Sequence, residues 1–152
     1  MAELVVAVEV AAPAHAVWAK LVEWRSHCEW MLLTRVEATT PEVAGVGVGI
    51  VGITGVGPIA MRDTMVVTDW SPPPANPARC GVDHIGRIVR GSAAFEVEAI
   101  GETRSRVTWS EWVRLPFGMV GQLGWFAVRP IVLAALKISL RRLANSVEAG
   151  SR

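Results

Sequence analysis

Charge, cysteine and histidine are all scarce in this 152-residue chain, and tyrosine is missing altogether. Only 19% of the residues are charged, and 15 Lys+Arg against 14 Asp+Glu leave a net charge of +1. That balance supplies no long-range field to draw the protein onto phosphate backbones, and the one basic cluster, Lys137 with Arg141 and Arg142, is short. No nucleic-acid partner is expected. Cys28 and Cys80 are the two cysteines, far apart and without CxxC or Cys/His ligand spacing. His15, His27 and His84 show no HxxxH or HxH pattern, so neither a metal site nor a cofactor is expected. The first residues, MAELVVAVEV, lack the basic segment that opens a signal peptide, and with the unpaired thiols this reads as a reduced, cytoplasmic protein.

Apolar residues fill the space that charge leaves: 51% of the chain is hydrophobic and seven residues are Trp. A chain of this length buries roughly 70% of its unfolded surface, enough for one domain over residues 1–152. Such a composition calls for a membrane test. Val43 to Met61 is an uncharged run of 19 residues, but six glycines and Pro58 interrupt it and no basic cluster flanks it. The run Leu115 to Val128 is cut by Arg129, Pro130 and Lys137 and reads as too short to span. No stable membrane insertion is expected.

Residues 3–10 are rich in β-branched side chains and predict a strand. Pro13 suits a first helical turn, and Val17, Leu21 and Trp24 recur at helical spacing behind it. Ser26 and Glu29 have capping-box spacing and predict a second short helix over 27–31. Six further strands follow, over 32–39, 46–55, 59–70, 79–90, 93–100 and 106–115, with turn signals between them. Leu133, Leu136, Leu140, Leu143 and Val147 then step by three and four, which predicts a long amphipathic helix over 119–148 with a kink or break at Pro130. Consecutive strands joined by short turns cannot form parallel crossovers. The fold class is therefore α+β: a seven-stranded curved antiparallel sheet wrapped around a long C-terminal helix, with two short helices after the first strand.

In order along the chain come Pro13, Val17 and Trp18, then Trp30, Asp63, His84-x-Gly86, Gly91 and Phe95. Gly101-x-Thr103-Arg104, Val107 and Trp109, Pro116-Phe117-Gly118 and Arg129-Pro130 continue the series. Together these resemble the SRPBCC superfamily, also called START-like or helix-grip, in its polyketide cyclase/dehydrase and lipid-transport branch. The resemblance covers nearly the whole chain. It implies a deep hydrophobic cavity between sheet and helix, used by lipid or polyketide binders and by aromatase/cyclases.

Period-two arithmetic puts Val107, Trp109, Glu111 and Val113 on one face of the last strand, and Met61, Asp63, Met65 and Val67 on one face of the fourth. If those faces look inward, Asp63 and Glu111 enter an apolar cavity, where a cation such as Arg62, Arg87 or His84 would have to pair with them. His84 is the natural acid/base candidate because its ordinary pKa lies near neutrality. Asp63, His84 and Glu111 are thus the candidate catalytic residues, set against the blander reading that they are solvated or structural ion pairs. Met61, Met65, Val107 and Trp109 are expected in the cavity wall, joined there by Trp30, Phe95, Val97, Trp125 and Leu133. His15 and His27, in or near helices, are expected to be exposed. Gly47 to Gly52 matches GxGxxG, but no strand precedes it and no helix follows, so it reads as glycine in a bent strand rather than a dinucleotide site.

The favoured function is binding or transport of a hydrophobic small molecule, lipid or polyketide-like, by a monomer or homodimer. The alternatives are a cyclase or dehydratase in which the inward acids and histidine move protons, and a regulatory or toxin-like role without a ligand.

Overall fold

The computed structural model describes residues 2–151. Strand β1 (Ala2–Val10) leads through Pro13 into helix α1 (Ala14–Leu21), a 3₁₀ turn (Trp24–Ser26) and helix α2 (His27–Trp30). Strands β2 (Thr34–Ala38), β3 (Gly49–Val56), β4 (Ile59–Ser71), β5 (Ala78–His84), β6 (Gly91–Ala99) and β7 (Ser105–Val113) follow, then helix α3 (Gly118–Gly150). The seven strands form one antiparallel sheet in the order β1-β7-β6-β5-β4-β3-β2. The α+β helix-grip architecture read from the sequence is the one found.

From β2 to β7 every neighbour in the sheet is also the neighbour in sequence, which is why short turns suffice. The α1 to α2 segment crosses from the β1 edge to the β2 edge. Of the GxGxxG glycines, Gly47 lies in the turn before β3 and Gly49 and Gly52 lie within it, with no helix after them. Strand β5 stops at His84, short of the expected Arg90, because residues 85–90 form a loop.

Two helix expectations change. Ser26 does not cap α2: its hydroxyl donates to the Glu23 carbonyl at 2.8 Å, closing the preceding 3₁₀ turn, while Glu29 pairs with Lys20 instead of reaching back to the cap. Helix α3 runs unbroken through Pro130. The carbonyl of Phe126, which loses its donor there, lies on an exposed turn where water can satisfy it. That continuity also corrects the reading that the apolar stretch ends at Val128. By length and composition, Gly118–Gly150 is apolar enough to cross a membrane.

Packing divides α3 in two. Its second half buries Ser139, Leu140, Leu143, Ala144 and Val147, at the spacing expected of one helical stripe. This stripe meets Val10 of β1, Val17 and Leu21 of α1, and Val97 and Val107 of the sheet in one core. Leu140 and Leu143 are wholly buried, each contributing about 2 kcal/mol by removal from water. None of the residues from 118 to 138 is buried. The sheet is therefore filled at one end and only spanned at the other.

Candidate functional site: a cavity with an acid–histidine–acid cluster

Under the middle of α3 the sheet encloses a cavity of about 440 Å³, within the usual range for small-molecule pockets. Its walls come from all the strands but β1, from the α2 region (Trp24, His27, Met31, Leu32), and from Ile131, Val132, Ala135, Leu136 and Ser139 of α3. Ser139 ties the two sides together, accepting the Leu32 amide hydrogen at 3.1 Å and donating to the Ala135 carbonyl at 2.8 Å. Thr54, Met61 and Ile131 are the exposed lining residues, which puts the mouth between α3 and the β3–β4 hairpin.

The largely apolar lining carries a cluster of ionisable side chains. His84 Nδ1–H points at Asp63 Oδ2, 2.7 Å away, and Nε2–H at Glu111 Oε2, 3.2 Å away. The other Glu111 oxygen accepts the indole hydrogen of Trp109 at 2.8 Å. Burial on its own would lower the His84 pKa, but the hydrogen bonds and charges of Asp63 and Glu111 outweigh it and push the pKa up to about 9. At neutral pH His84 is thus an imidazolium held between two carboxylates. Asp63 Oδ1 is buried and has no partner among the described residues.

The register explains how residues so distant in sequence meet. His84 lies opposite Met65, so Asp63, two residues along β4 on the same face, is its diagonal neighbour. Glu111 is a whole strand further away, across β6. The β6 residues between them are Gly91, opposite His84, and Ala93, opposite Glu111. Neither has a side chain large enough to stand in the way of the imidazole.

Met61, Met65, Phe95 and Trp109 line the cavity as expected. Trp30, Val97 and Val107 do not. All three are fully buried, Val97 and Val107 in the filled end of the sheet. Trp30 stands behind the wall, edge-on to Phe95 and Trp109 at ring separations of 6.0 and 6.3 Å. Trp125 and Leu133 also lie outside the lining: on α3 the inward stripe falls at Ile131, Val132, Ala135 and Leu136.

His27 is a second correction. Rather than exposed, it is 2% accessible, donating from Nε2 to the Leu21 carbonyl at 2.7 Å and leaving Nδ1 as a buried acceptor without a partner among the described residues. Burial holds its pKa down at about 4. It lines the cavity as a neutral ring between Trp24 and Trp30. The sequence signal was its position one helical turn from two tryptophans, on the face that α2 turns inward. Cys28 next to it is exposed, its thiol directed at the Arg25 carbonyl, so the pair is not a thiol–imidazole couple. Cys80 is buried in the wall, and burial pushes its thiol up to about 12, where it remains protonated.

Comparison with known proteins agrees with this architecture. The family model described as "Polyketide cyclase / dehydrase and lipid transport" matches residues 1–148. Among curated proteins, none matches the chain by sequence. A crystal structure of a Thermus thermophilus protein superposes with a TM-score of 0.81 at 16% identity, covering 99% of this chain and all of the other. The Zhui aromatase/cyclase from Streptomyces sp. R1128 superposes at 0.77 with 18% identity, covering 99% of this chain and 96% of that one. The di-domain aromatase/cyclase BexL from the BE-7585A biosynthetic pathway gives 0.67 at 20% identity, over 93% of this chain and 47% of its own. At these identities the likeness is one of fold.

Proposed function

Since the chain belongs to the polyketide cyclase/dehydrase and lipid-transport family, we propose that it binds a hydrophobic small molecule bearing at least one hydroxyl or other hydrogen-bond donor, of lipid or polyketide-like type. The observation that carries this reading is a largely apolar cavity of about 440 Å³ with Asp63 in its wall, whose buried Oδ1 has no partner among the described residues. An apolar wall binds by area and selects weakly, whereas an unpaired buried acceptor favours a ligand that supplies a donor. Native mass spectrometry of the freshly purified protein, followed by solvent extraction, tests it. A retained or exchangeable apolar ligand is expected, with retention lowered in Asp63→Leu. Protein that carries nothing and takes up no apolar fluorophore would overturn the proposal.

One observation favours a second reading, proton transfer to or from a bound polyketone during cyclisation or dehydration. It is a buried imidazolium hydrogen-bonded to two partly buried carboxylates in a single set. Both His84 N–H groups are engaged, and Glu111 is engaged through both oxygens. Within the set, Asp63 Oδ1 alone is a carboxylate oxygen without a partner among the described residues, so Asp63 would be the base and His84 the residue that positions it. The alternatives separate on Asp63→Asn: loss of turnover with retained binding supports catalysis, and unchanged turnover of a cyclising substrate removes it.

A further inference from the structure

The first half of α3 leaves its apolar residues in solvent. Met119, Val120, Leu123 and Phe126 are each more than two-thirds exposed, as is Phe117 in the turn before them. A soluble surface rarely carries so continuous a patch without a use for it.

The patch does not stand alone. The β3–β4 hairpin ends in Val56 and Ile59, the latter 85% exposed, and the β5–β6 loop carries Ile85 and Ile88, 59% and 70% exposed. All of these segments lie at the same end of the sheet. The Ile85 amide donates to the Thr64 carbonyl at 2.8 Å, fixing the loop against β4, and the Arg114 amide donates to the Arg90 carbonyl at 2.9 Å, fixing it against the turn into α3. Met61 of the β3–β4 hairpin and Ile131 of α3 are exposed lining residues of the cavity, so its mouth opens toward this end.

Charge is also divided between the two ends. At the opposite end of the sheet Arg79, Arg104 and Arg106 are all ion-paired, with Asp69 and Glu96, with Glu9, and with Glu9 and Glu98 respectively. At the end that carries the two loop tips, Arg62, Arg87, Arg90 and Arg114 are exposed, and none is ion-paired among the described residues. Arg90 and Arg114 border a shallow depression of about 340 Å³ beside Trp112, with Asp83 on its rim. Asp83 and Glu3 are the exposed acids at this end, so the arginines outnumber them.

We propose that this end of the molecule is a docking surface for an anionic lipid bilayer, with the apolar face of α3 and the two loop tips entering the interface and the arginines meeting lipid phosphates. The exposed stretch from 118 to 131 is about 20 Å long and carries one charge, Arg129, the character of a segment that lies in an interface. Arginine around its edge adds electrostatic attraction to apolar insertion, and the cavity mouth then faces the lipid. The inference does not depend on which ligand the cavity holds or whether it reacts.

Vesicle co-sedimentation with the full chain tests it. Vesicles of equal parts phosphatidylglycerol and phosphatidylcholine are expected to bind the protein, phosphatidylcholine alone to bind it far less, and salt to weaken the former. Arg87→Gln with Arg90→Gln is expected to lower partitioning onto the anionic vesicles by roughly thirtyfold, with little change on the neutral ones. Leu123→Glu with Phe126→Glu is expected to abolish binding while leaving the circular dichroism and Tm of the free protein intact, since both side chains are exposed. The proposal is overturned if the wild type stays in the supernatant, if it binds both vesicle types equally, or if the Leu123/Phe126 variant binds undiminished. It is also overturned if the wild type is a dimer that the same variant splits and no vesicle binding is seen, because a second copy then covers the face. Native mass spectrometry on the same sample reads ligand retention separately, so loss of one result leaves the other standing.

Discussion

Between His84 and Glu111 the sheet places an entire strand, yet His84 Nε2 lies 3.2 Å from Glu111 Oε2. Alternate strands of a sheet are about 10 Å apart, a gap that an imidazole and a glutamate together can close only over an unobstructed surface. Gly91 and Ala93 provide it.

Gly91→Val is expected to disrupt the β6–β7 pairing that holds Glu111 opposite Ala93. The residue sits at φ +131°, and a Cβ there would come within 1.8 Å of the Trp112 carbonyl oxygen, a backbone atom that cannot rotate aside. Such strain costs on the order of 1–3 kcal/mol before any clash is counted. Thermal unfolding of Gly91→Ala and Gly91→Val reads the loss, and an Ala variant as stable as wild type would contradict the assigned backbone.

Breaking the cluster from its centre is expected to be costly. His84→Gln removes the cation that compensates two inward carboxylates, and deleting one partner of a buried ion pair typically costs about 3–5 kcal/mol. Adding Asp63→Asn to it should recover part of that loss, because the remaining carboxylate is then alone. Urea unfolding of the two single variants and the double variant measures the coupling, and additive losses would mean that the two side chains do not interact.

Stability is expected to peak near pH 6.5, from two histidines shifted in opposite directions. The folded pKa of His84 lies above its ordinary value, so its contribution is complete below about 6.5 and is lost as pH rises through about 9. That of His27 lies below, so its contribution is complete above about 6.5 and falls away toward pH 4, by about 3 kcal/mol in all. Tm measured against pH should lose its alkaline slope in His84→Gln and flatten between pH 4 and 6.5 in His27→Asn. An alkaline slope that survives in His84→Gln would assign it to another group.

The seven antiparallel strands and the helix that spans them were legible because hydrophobic period and turn residues are local signals, and strand parity grouped Asp63 with Met61 and Met65, and Glu111 with Trp109, without deciding which face looks inward. What parity could not supply was register. Asp63, His84 and Glu111 looked scattered along the chain, and only the pairing of Met65 with His84 and of Ala93 with Glu111 brings them together. Trp125 and Leu133 were misplaced for a related reason. A helix that is apolar all round leaves its inward stripe ambiguous, and the choice was made by the packing of Leu140, Leu143 and Val147 further along α3. A place in or near a helix does not by itself expose His27, because two flanking tryptophans and the Leu21 carbonyl provide it with a buried place.

Gly52 offers the cleanest separation of cavity from fold. It lies within β3 on the cavity wall, and a Cβ at this position would meet Met65 Cε at 3.4 Å, an ordinary contact with the flexible end of a side chain. Glycine weakens a strand interior, so Gly52→Ala should leave stability unchanged or raise it slightly. Gly52→Leu projects further, into the space a ligand would occupy, and has Met65 and the void itself to accommodate it. Its expected signature is a Tm at or above that of wild type together with reduced uptake of an apolar fluorophore, which a structural defect would not produce. If Gly52→Leu kept full uptake at unchanged Tm, the bound molecule would have to sit elsewhere than against β3.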